Sequence, residues 1–152
     1  MTTYYLDSSA VVKRYVAEAG SDWVRALCQN AHNTIFLAEL TLVEVSSAFA
    51  RRGQRGEITD EERRSYLDLF IHDCTQDYHL IPIERPIIDR AVDLAQQHAL
   101  RGYDAVQLAC ALAANDLLTA AGLPPLTFVS ADDDLVAAAI AQHLFAENPN
   151  RH

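Results

Sequence analysis

The sequence has little of what several common classes of metal and cofactor site require. Its three cysteines, Cys28, Cys74 and Cys110, are widely spaced and form no CxxC pair, which argues against a disulfide framework and a structural zinc site. The six histidines contain no i, i+4 pair. No glycine-rich phosphate-binding motif follows a predicted strand, and no G-x-S-x-G motif is present. The chemistry of this chain must therefore come from other side chains.

Long apolar runs are also absent. No uninterrupted stretch approaches the roughly 20 residues that cross a bilayer, and the first residues enter a strand-like segment without a signal-peptide pattern. We therefore expect a cytoplasmic protein with no membrane partner. The 152 residues are 50% hydrophobic and 22% charged, which is typical of a single soluble domain covering residues 1–152.

Lysine is almost missing, since Lys13 is the only one among twelve basic residues. The 21 acidic residues give a formal net charge of −9, so the molecule as a whole does not resemble a nucleic-acid-binding protein. Any site for a polyanion would need local positive charge or a bound metal. The remaining basic residues are arginines, which suit bidentate pairing with carboxylates or phosphates.

Short β-type runs alternate with longer helical segments along the chain. The predicted strands are 4–7, 34–37, 79–83, 127–130 and 144–146. The predicted helices are 10–18, 21–30, 40–52, 59–75, 86–98, 103–121 and 132–142, of which 103–121 is apolar enough to be the most buried. This alternation indicates an α/β fold with a mostly parallel sheet and helices on both faces.

Four acidic side chains stand where a carboxylate is the wrong residue for a plain apolar core: Asp7, Glu44, Asp104 and Asp132. Sites in parallel sheets lie beyond the carboxyl ends of the strands, and Asp7 and Asp132 both follow predicted strands directly. If the fold brings the four acids together, protons or a divalent cation must neutralise them. Metal-dependent chemistry is therefore the first hypothesis.

Three of these acids also have a purely structural interpretation. Asp7 could be a turn or cap residue, although Ser8 and Ser9 are good caps for the following helix themselves. Asp104 lies near a predicted helix start, and so does Asp132, where negative charge favours the positive end of the helix dipole. The sequence alone leaves both interpretations open for them.

Glu44 separates the hypotheses best, because it lies on a predicted helix among apolar residues at helical spacing. A carboxylate on such a stripe is costly unless it is paired or bound to a cation. An ion pair with Arg14 or Arg101 is the structural alternative.

Arginines are concentrated near the end of the same helix, at Arg51, Arg52 and Arg55. They are either a solvated helix C-terminus or a binding surface for phosphates or for an acidic partner. We keep these three, with Arg14, as candidates for phosphate contacts.

The four acids lie in the segments YLDSSAVVKRYVAEAGS, TLVEVSSAFARR, LRGYDAVQLACALA and FVSADDDLVAAA. In this order the segments resemble the motifs of the PIN-domain family, especially the VapC-like toxins of bacterial toxin–antitoxin pairs, and the ending FAENPNRH resembles the family's tail. The spacing to Leu135 makes Asp132 a better match than Asp133 or Asp134. The resemblance covers nearly the whole chain.

The resemblance implies a three-layer α/β/α sandwich and a Mg²⁺- or Mn²⁺-dependent endoribonuclease that forms homodimers and is inhibited by a small antitoxin. On this hypothesis Asp7, Glu44, Asp104 and Asp132 hold the metal through oxygen ligands and retained waters. Ser8 and Ser130 would hydrogen-bond these ligands or the waters.

Other functions remain as alternatives. A phospho-acceptor signalling domain would need an acceptor aspartate after a central strand and a lysine near a late strand. We reject it, because Glu84 and Arg85 follow the predicted strand 79–83 and the only lysine is Lys13. A catalytically silent member that acts by binding a partner stays open, as does a DNA-directed nuclease with the same acidic site.

Overall fold

A five-stranded sheet forms the centre of the computed structural model, which describes residues 1–152. The strands are β1 (Thr2–Leu6), β2 (Asn33–Ala38), β3 (Tyr78–Ile81), β4 (Thr127–Val129) and β5 (Phe145–Glu147). They lie in the order β3-β2-β1-β4-β5, and every neighbouring pair is parallel. The predicted parallel sheet is confirmed.

Seven α-helices cover both faces of this sheet. They are α1 (Ser8–Tyr15), α2 (Ser21–Gln29), α3 (Leu40–Gln54), α4 (Asp60–Gln76), α5 (Arg85–His98), α6 (Gly102–Ala120) and α7 (Asp133–Ala141). Because side chains alternate along a strand, Tyr5 of β1 joins a core formed with α5, α6 and α7. Its neighbour Leu6 joins a second core formed with α1 to α4. The arrangement is the expected three-layer α/β/α sandwich.

Local sequence signals account for several of these elements. Thr59 and Glu62 form the predicted capping box at the start of α4. Pro86 lies in the first turn of α5, where its missing N–H costs no helical hydrogen bond. Pro82 follows the end of β3, which is an edge strand. Helix α6 contains more buried residues than any other helix, as its apolar sequence predicts.

The prediction that Ser8 and Ser9 cap α1 is wrong. Helix α1 already begins at Ser8, and Asp7 is its N-cap, with extended backbone angles and a side chain that accepts a hydrogen bond from Ala10 N. Asp132 caps α7 in the same way, by accepting from the backbone of the first turn. Capping and membership of the acidic site are therefore not alternatives for these two residues, because one carboxylate has room for both.

The register of β1 and β4 places the candidate site. The Asp7 backbone N–H donates to Val129 O at 3.1 Å, so the chain leaving β1 runs beside the chain leaving β4. Residues that are 123 positions apart, Asp7 and Ser130, thereby become neighbours at the carboxyl edge of the sheet. None of the helices combines the length and apolarity needed to span a bilayer.

Candidate active site

The side chain of Asp7 is held in place by hydrogen bonds within the candidate site. Its side chain is buried, with 4% relative exposure. Oδ1 accepts hydrogen bonds from Ser9 Oγ at 2.6 Å and Ala10 N at 3.0 Å, and Oδ2 accepts from Ser130 Oγ at 2.6 Å. A carboxylate offers about four acceptor positions, so roughly one remains free. The orientation of this carboxylate is therefore fixed by three donors.

The serine hydroxyls around Asp7 also join β1 and β4. Ser9 Oγ accepts from Ala131 N at 3.0 Å, and Ser130 Oγ accepts from Asp132 N at 3.1 Å. The structure thus places Ser130 against Asp7, whereas the Ser8 hydroxyl hydrogen-bonds Glu44 and lowers the pKa of that carboxyl. Ser9 was not among the sequence candidates. The sequence could show only that Ser9 lies near the start of α1, and a serine on the protein surface can occupy the same position.

Glu44 is positioned by a buried amide. Gln107 is 1% exposed, and its Nε2 donates to Glu44 Oε1 at 2.6 Å and to Thr41 Oγ1 at 2.9 Å. Its Oε1 accepts from Tyr5 OH at 2.6 Å. Glu44 therefore makes no ion pair, and its pairing with Arg14 or Arg101, the alternative from the sequence, is not observed.

Gln107 was missed by sequence reasoning, although a signal existed. It is the one strongly polar side chain between Asp104 and Asn115 in an otherwise apolar helix. It also lies three residues after Asp104, on the same side of α6. A buried amide in such a stretch needs hydrogen-bond partners. Here the partners lie on β1 and on α3, and the α3 partners include the candidate acid Glu44.

The four acids share one electrostatic environment. Burial raises the pKa of Asp7 to about 6 against three lowering hydrogen bonds, and the charge of Asp104 adds to the rise. Burial likewise raises the pKa of Glu44, again with a contribution from Asp104. The pKa of Asp104 is raised by burial and then by the charge of Asp132. Electrostatic interactions thus link Asp104 to each of the other three carboxylates. That the four acids form one metal site stays a prediction.

The donor chemistry fits a hard divalent cation. Carboxylate oxygens are the ligands that Mg²⁺ and Mn²⁺ prefer, and a cation would relieve the repulsion that raises these pKa values. No three acidic, histidine or cysteine side chains converge on one point as they stand. Asp7 and Glu44 are oriented by hydrogen bonds, whereas Asp104 accepts none. The residues therefore fit the metal by their oxygen chemistry, with two of the four proposed ligands already oriented.

A cavity of about 500 Å³ opens beside these acids. Glu44 lies on its wall, and the residues flanking the other three acids, including Ser8, Tyr103 and Ala131, also line it. Val43 and Tyr103 are 68% and 67% exposed. The cavity is therefore large enough to hold a substrate group, and two of its lining side chains are apolar or aromatic and well exposed.

Two cations on the cavity wall share one carboxylate partner, Glu18. Lys13 Nζ donates to Glu18 Oε1 at 3.1 Å and to Ala19 O at 2.7 Å. Arg52 Nη1 donates to the other oxygen of Glu18 at 2.8 Å. Of the predicted phosphate contacts, Arg52 is therefore held by Glu18, while Arg51 lines the cavity without an acidic partner. Arg55 is exposed beside Glu57 at 3.9 Å.

Arg14 is not brought to the site. Its guanidinium donates to Tyr78 OH at 2.8 Å and to Asp77 Oδ2 at 2.9 Å, and it lies 3.5 Å from Asp73. Tyr78 begins β3, so this cluster lies toward the amino edge of the sheet, opposite to the acids. Seven residues of helix carry Arg14 about 10 Å along the axis from Asp7, which sequence proximity alone does not reveal.

The raised pKa of Asp7 predicts a specific pH dependence of stability in the metal-free protein. The native state takes up this proton near pH 6, and the unfolded chain does so near 3.8. Between these values the native state binds more protons, so the free energy of unfolding falls as the pH rises from about 4 to about 6. The loss should be at most about 3 kcal/mol.

Urea denaturation in EDTA across this pH range measures the effect. Because other groups titrate as well, the quantity to compare is the difference between the parent and Asp7→Asn, which lacks this proton uptake. Identical pH profiles for the two proteins would contradict the predicted role of Asp7 burial.

Comparison with known proteins gives consistent results for sequence and structure. The family model described as PIN domain matches residues 4–141. Ribonuclease VapC45 and Ribonuclease VapC49, from two strains of Mycobacterium tuberculosis, are each 32% identical over 123 residues, covering 76% of this chain and 79% of theirs.

Solved structures share the fold at lower identity. The VapBC2 structure from Rickettsia felis, bound to a promoter DNA fragment, has a TM-score of 0.63 at 19% identity, covering 97% of this chain and 98% of that one. VapC20 of M. tuberculosis, described as a sarcin-ricin loop cleaving toxin, has a TM-score of 0.63 at 13% identity, covering 89% and 94%. A toxin–antitoxin complex from Klebsiella pneumoniae has a TM-score of 0.58 at 16% identity, covering 96% and 97%.

The match to the family model extends from β1 through α7, and so contains all four acids together with the strands and helices that position them. The sequence relatives reach the same assignment independently. This chain belongs to the PIN-domain family.

Proposed function

We propose that this protein is a divalent-metal-dependent endoribonuclease that acts as the toxin of a toxin–antitoxin pair. The observation that supports the proposal is a cavity of about 500 Å³ that is lined by Glu44 and by residues adjacent in sequence to Asp7, Asp104 and Asp132. The ribonuclease names of the two sequence relatives support RNA as the substrate.

Asp7, Glu44, Asp104 and Asp132 are the proposed ligands for Mg²⁺ or Mn²⁺. A bound divalent cation supplies an activated water near neutral pH and stabilises charge on the phosphate. The protein's own contribution is orientation, because Ser9 and Ser130 fix Asp7 and Gln107 fixes Glu44. Such supporting hydrogen bonds set the direction and basicity of ligands.

The proposed partners are RNA, a small antitoxin and a second copy of the chain. A cavity that has Glu44 on its wall and exposed Val43 and Tyr103 in its lining suits a partner segment that combines apolar side chains with an arginine or lysine. The K. pneumoniae structure of similar fold is itself described as a toxin–antitoxin complex, which supports an antitoxin here. The homodimer is inferred from the family resemblance.

Parallel incubation with single-stranded RNA and single-stranded DNA tests the activity. We expect RNA cleavage with Mn²⁺ or Mg²⁺ and none with EDTA. Equal cleavage of DNA would favour the DNA-directed alternative, and cleavage of neither substrate would favour a silent partner-binding module. Gel analysis of end-labelled oligonucleotides distinguishes these outcomes.

A further inference from the structure

Most arginines of this acidic protein have a carboxylate as a close neighbour. Nine of the eleven lie within 4.0 Å of an aspartate or glutamate oxygen. The two exceptions are Arg51 and Arg101, whose side chains also make no hydrogen bond and are exposed. Unpaired guanidinium groups are thus rare here, and their positions carry information.

Arg51 lines the cavity, and Arg101 lies one helical turn before Asp104. Arg51 lines the cavity from α3, seven residues after Glu44. Seven residues are about two helical turns, so the two side chains share a face of α3 about 10 Å apart along its axis. Arg51 also lines an adjoining depression together with Gln54 and Arg63, so the cavity continues past it.

Arg101 reaches the site from a different element. It is the N-cap residue of α6, three residues before Asp104. It lies close enough for its charge to oppose the rise in the pKa of Asp104. The two free cations therefore approach the carboxylates from two separate helices, α3 and α6.

Tyr103 stands between Arg101 and Asp104 in the sequence and presents an aromatic ring to the cavity. It is 67% exposed and makes no hydrogen bond with its hydroxyl. Its ring belongs to neither hydrophobic core. An exposed aromatic beside a free guanidinium is the combination that binds an unpaired nucleotide, through base stacking and a phosphate contact.

We propose that Arg51 and Arg101 bind the phosphates on the two sides of the cleaved linkage, and that Tyr103 stacks on an adjoining unpaired base. This inference rests on the proposed ribonuclease function and names the residues that hold its substrate. A net charge of −9 repels RNA, so the guanidinium groups that have no carboxylate partner are the best placed to bind phosphates. Guanidinium groups also match phosphate oxygens in geometry.

The salt dependence of RNA binding tests the two arginines. Short fluorescein-labelled oligouridylate and oligoadenylate are titrated with protein in the presence of Mg²⁺, at several salt concentrations, to measure the binding constant K. The protein carries Asp7→Asn, with which cleavage is expected to be lost. Each phosphate contact contributes about 0.7 to the slope of log K against log salt for single strands. Arg51→Gln and Arg101→Gln should each lower the slope by roughly that amount.

Arg90→Gln is the matched control. Arg90 pairs with Asp116 at 2.7 Å, which lies twelve residues, or about 18 Å of helix, beyond Asp104 on α6. The control removes the same charge from the molecule away from the cavity, so it should leave the slope unchanged.

Tyr103→Ala should weaken oligonucleotide binding roughly tenfold to a hundredfold, as loss of one stacked base does. Tyr103→Phe should retain the parent affinity, because stacking needs the ring and not the hydroxyl. Phe145→Ala, which removes a 66% exposed ring from β5, should bind like the parent. In the otherwise unmodified enzyme, Tyr103→Ala should raise KM more than it lowers kcat.

The outcomes separate this inference from the proposed function. If the parent cleaves RNA while both arginine variants keep its salt slope, or Arg90→Gln changes the slope equally, the inference is overturned alone. If the slopes change as expected but the parent cleaves nothing, the ribonuclease function is overturned and the binding residues stand. If the parent neither binds nor cleaves RNA, both are overturned.

Discussion

Replacing Asp7 with asparagine is expected to lower metal-dependent RNA cleavage by more than a hundredfold. Loss of a residue that merely supports a metal ligand already costs about 10- to 100-fold, and Asp7 is proposed as a ligand itself. The fold should survive, because asparagine has the same size. Its Oδ1 can still accept from Ser9 and Ala10, and its amide can donate to Ser130 Oγ, in place of the present bonds.

Initial cleavage rates with Mn²⁺, measured together with thermal unfolding, test this prediction. Asp93→Asn is the matched control, because Asp93 is an exposed carboxylate on α5 without an ion pair or hydrogen bond. It should cleave like the parent. Unaltered cleavage by a well-folded Asp7→Asn protein would remove Asp7 from the proposed ligand set.

Mn²⁺ is expected to raise the melting temperature of the parent by roughly 5 to 10 °C. A ligand present at a hundred times its Kd stabilises the native state by about 2.7 kcal/mol, and 1 kcal/mol corresponds to about 2–4 °C for a domain of this size. The gain should shrink in Asp104→Asn, which removes the acid that interacts with the other three.

The metal-free proteins provide an internal check on this measurement. Asp104→Asn relieves repulsion within the site, so its melting temperature in EDTA should not fall below that of the parent. Asp93→Asn should keep the full Mn²⁺ gain. If differential scanning calorimetry shows no Mn²⁺-dependent gain in the parent, the acids do not form a metal site.

The fold was largely predictable from the sequence, because its signals are local and agree with one another. Alternation of β-type runs and helices gave the parallel sheet, and capping patterns such as Thr59 with Glu62 gave helix starts. Errors were confined to boundaries. At the start of α1, for example, three consecutive residues can all cap a helix, and only the backbone angles identify Asp7 as the cap.

The candidate acids could be chosen from the sequence, whereas not all of the residues that orient them could. A carboxylate on an apolar stripe is visible in the sequence, as Glu44 is. The donor that holds it, Gln107, lies 63 positions away, and that pairing exists only after α3 and α6 pack against the same sheet. The prediction that Arg14 contacts phosphate at the site has the same weakness. Arg14 is near Asp7 in the sequence, but helix α1 carries it away from the acids.

The position of β1 between β2 and β4 has a consequence for synthesis on the ribosome. A chain emerging from its amino end can pair β1 with β2 early, yet Ser130 and Asp132 belong to its last quarter. Products that stop before residue 127 therefore lack both the second serine that holds Asp7 and the fourth acid. Any activity that depends on those two residues therefore cannot begin until the polypeptide is nearly finished.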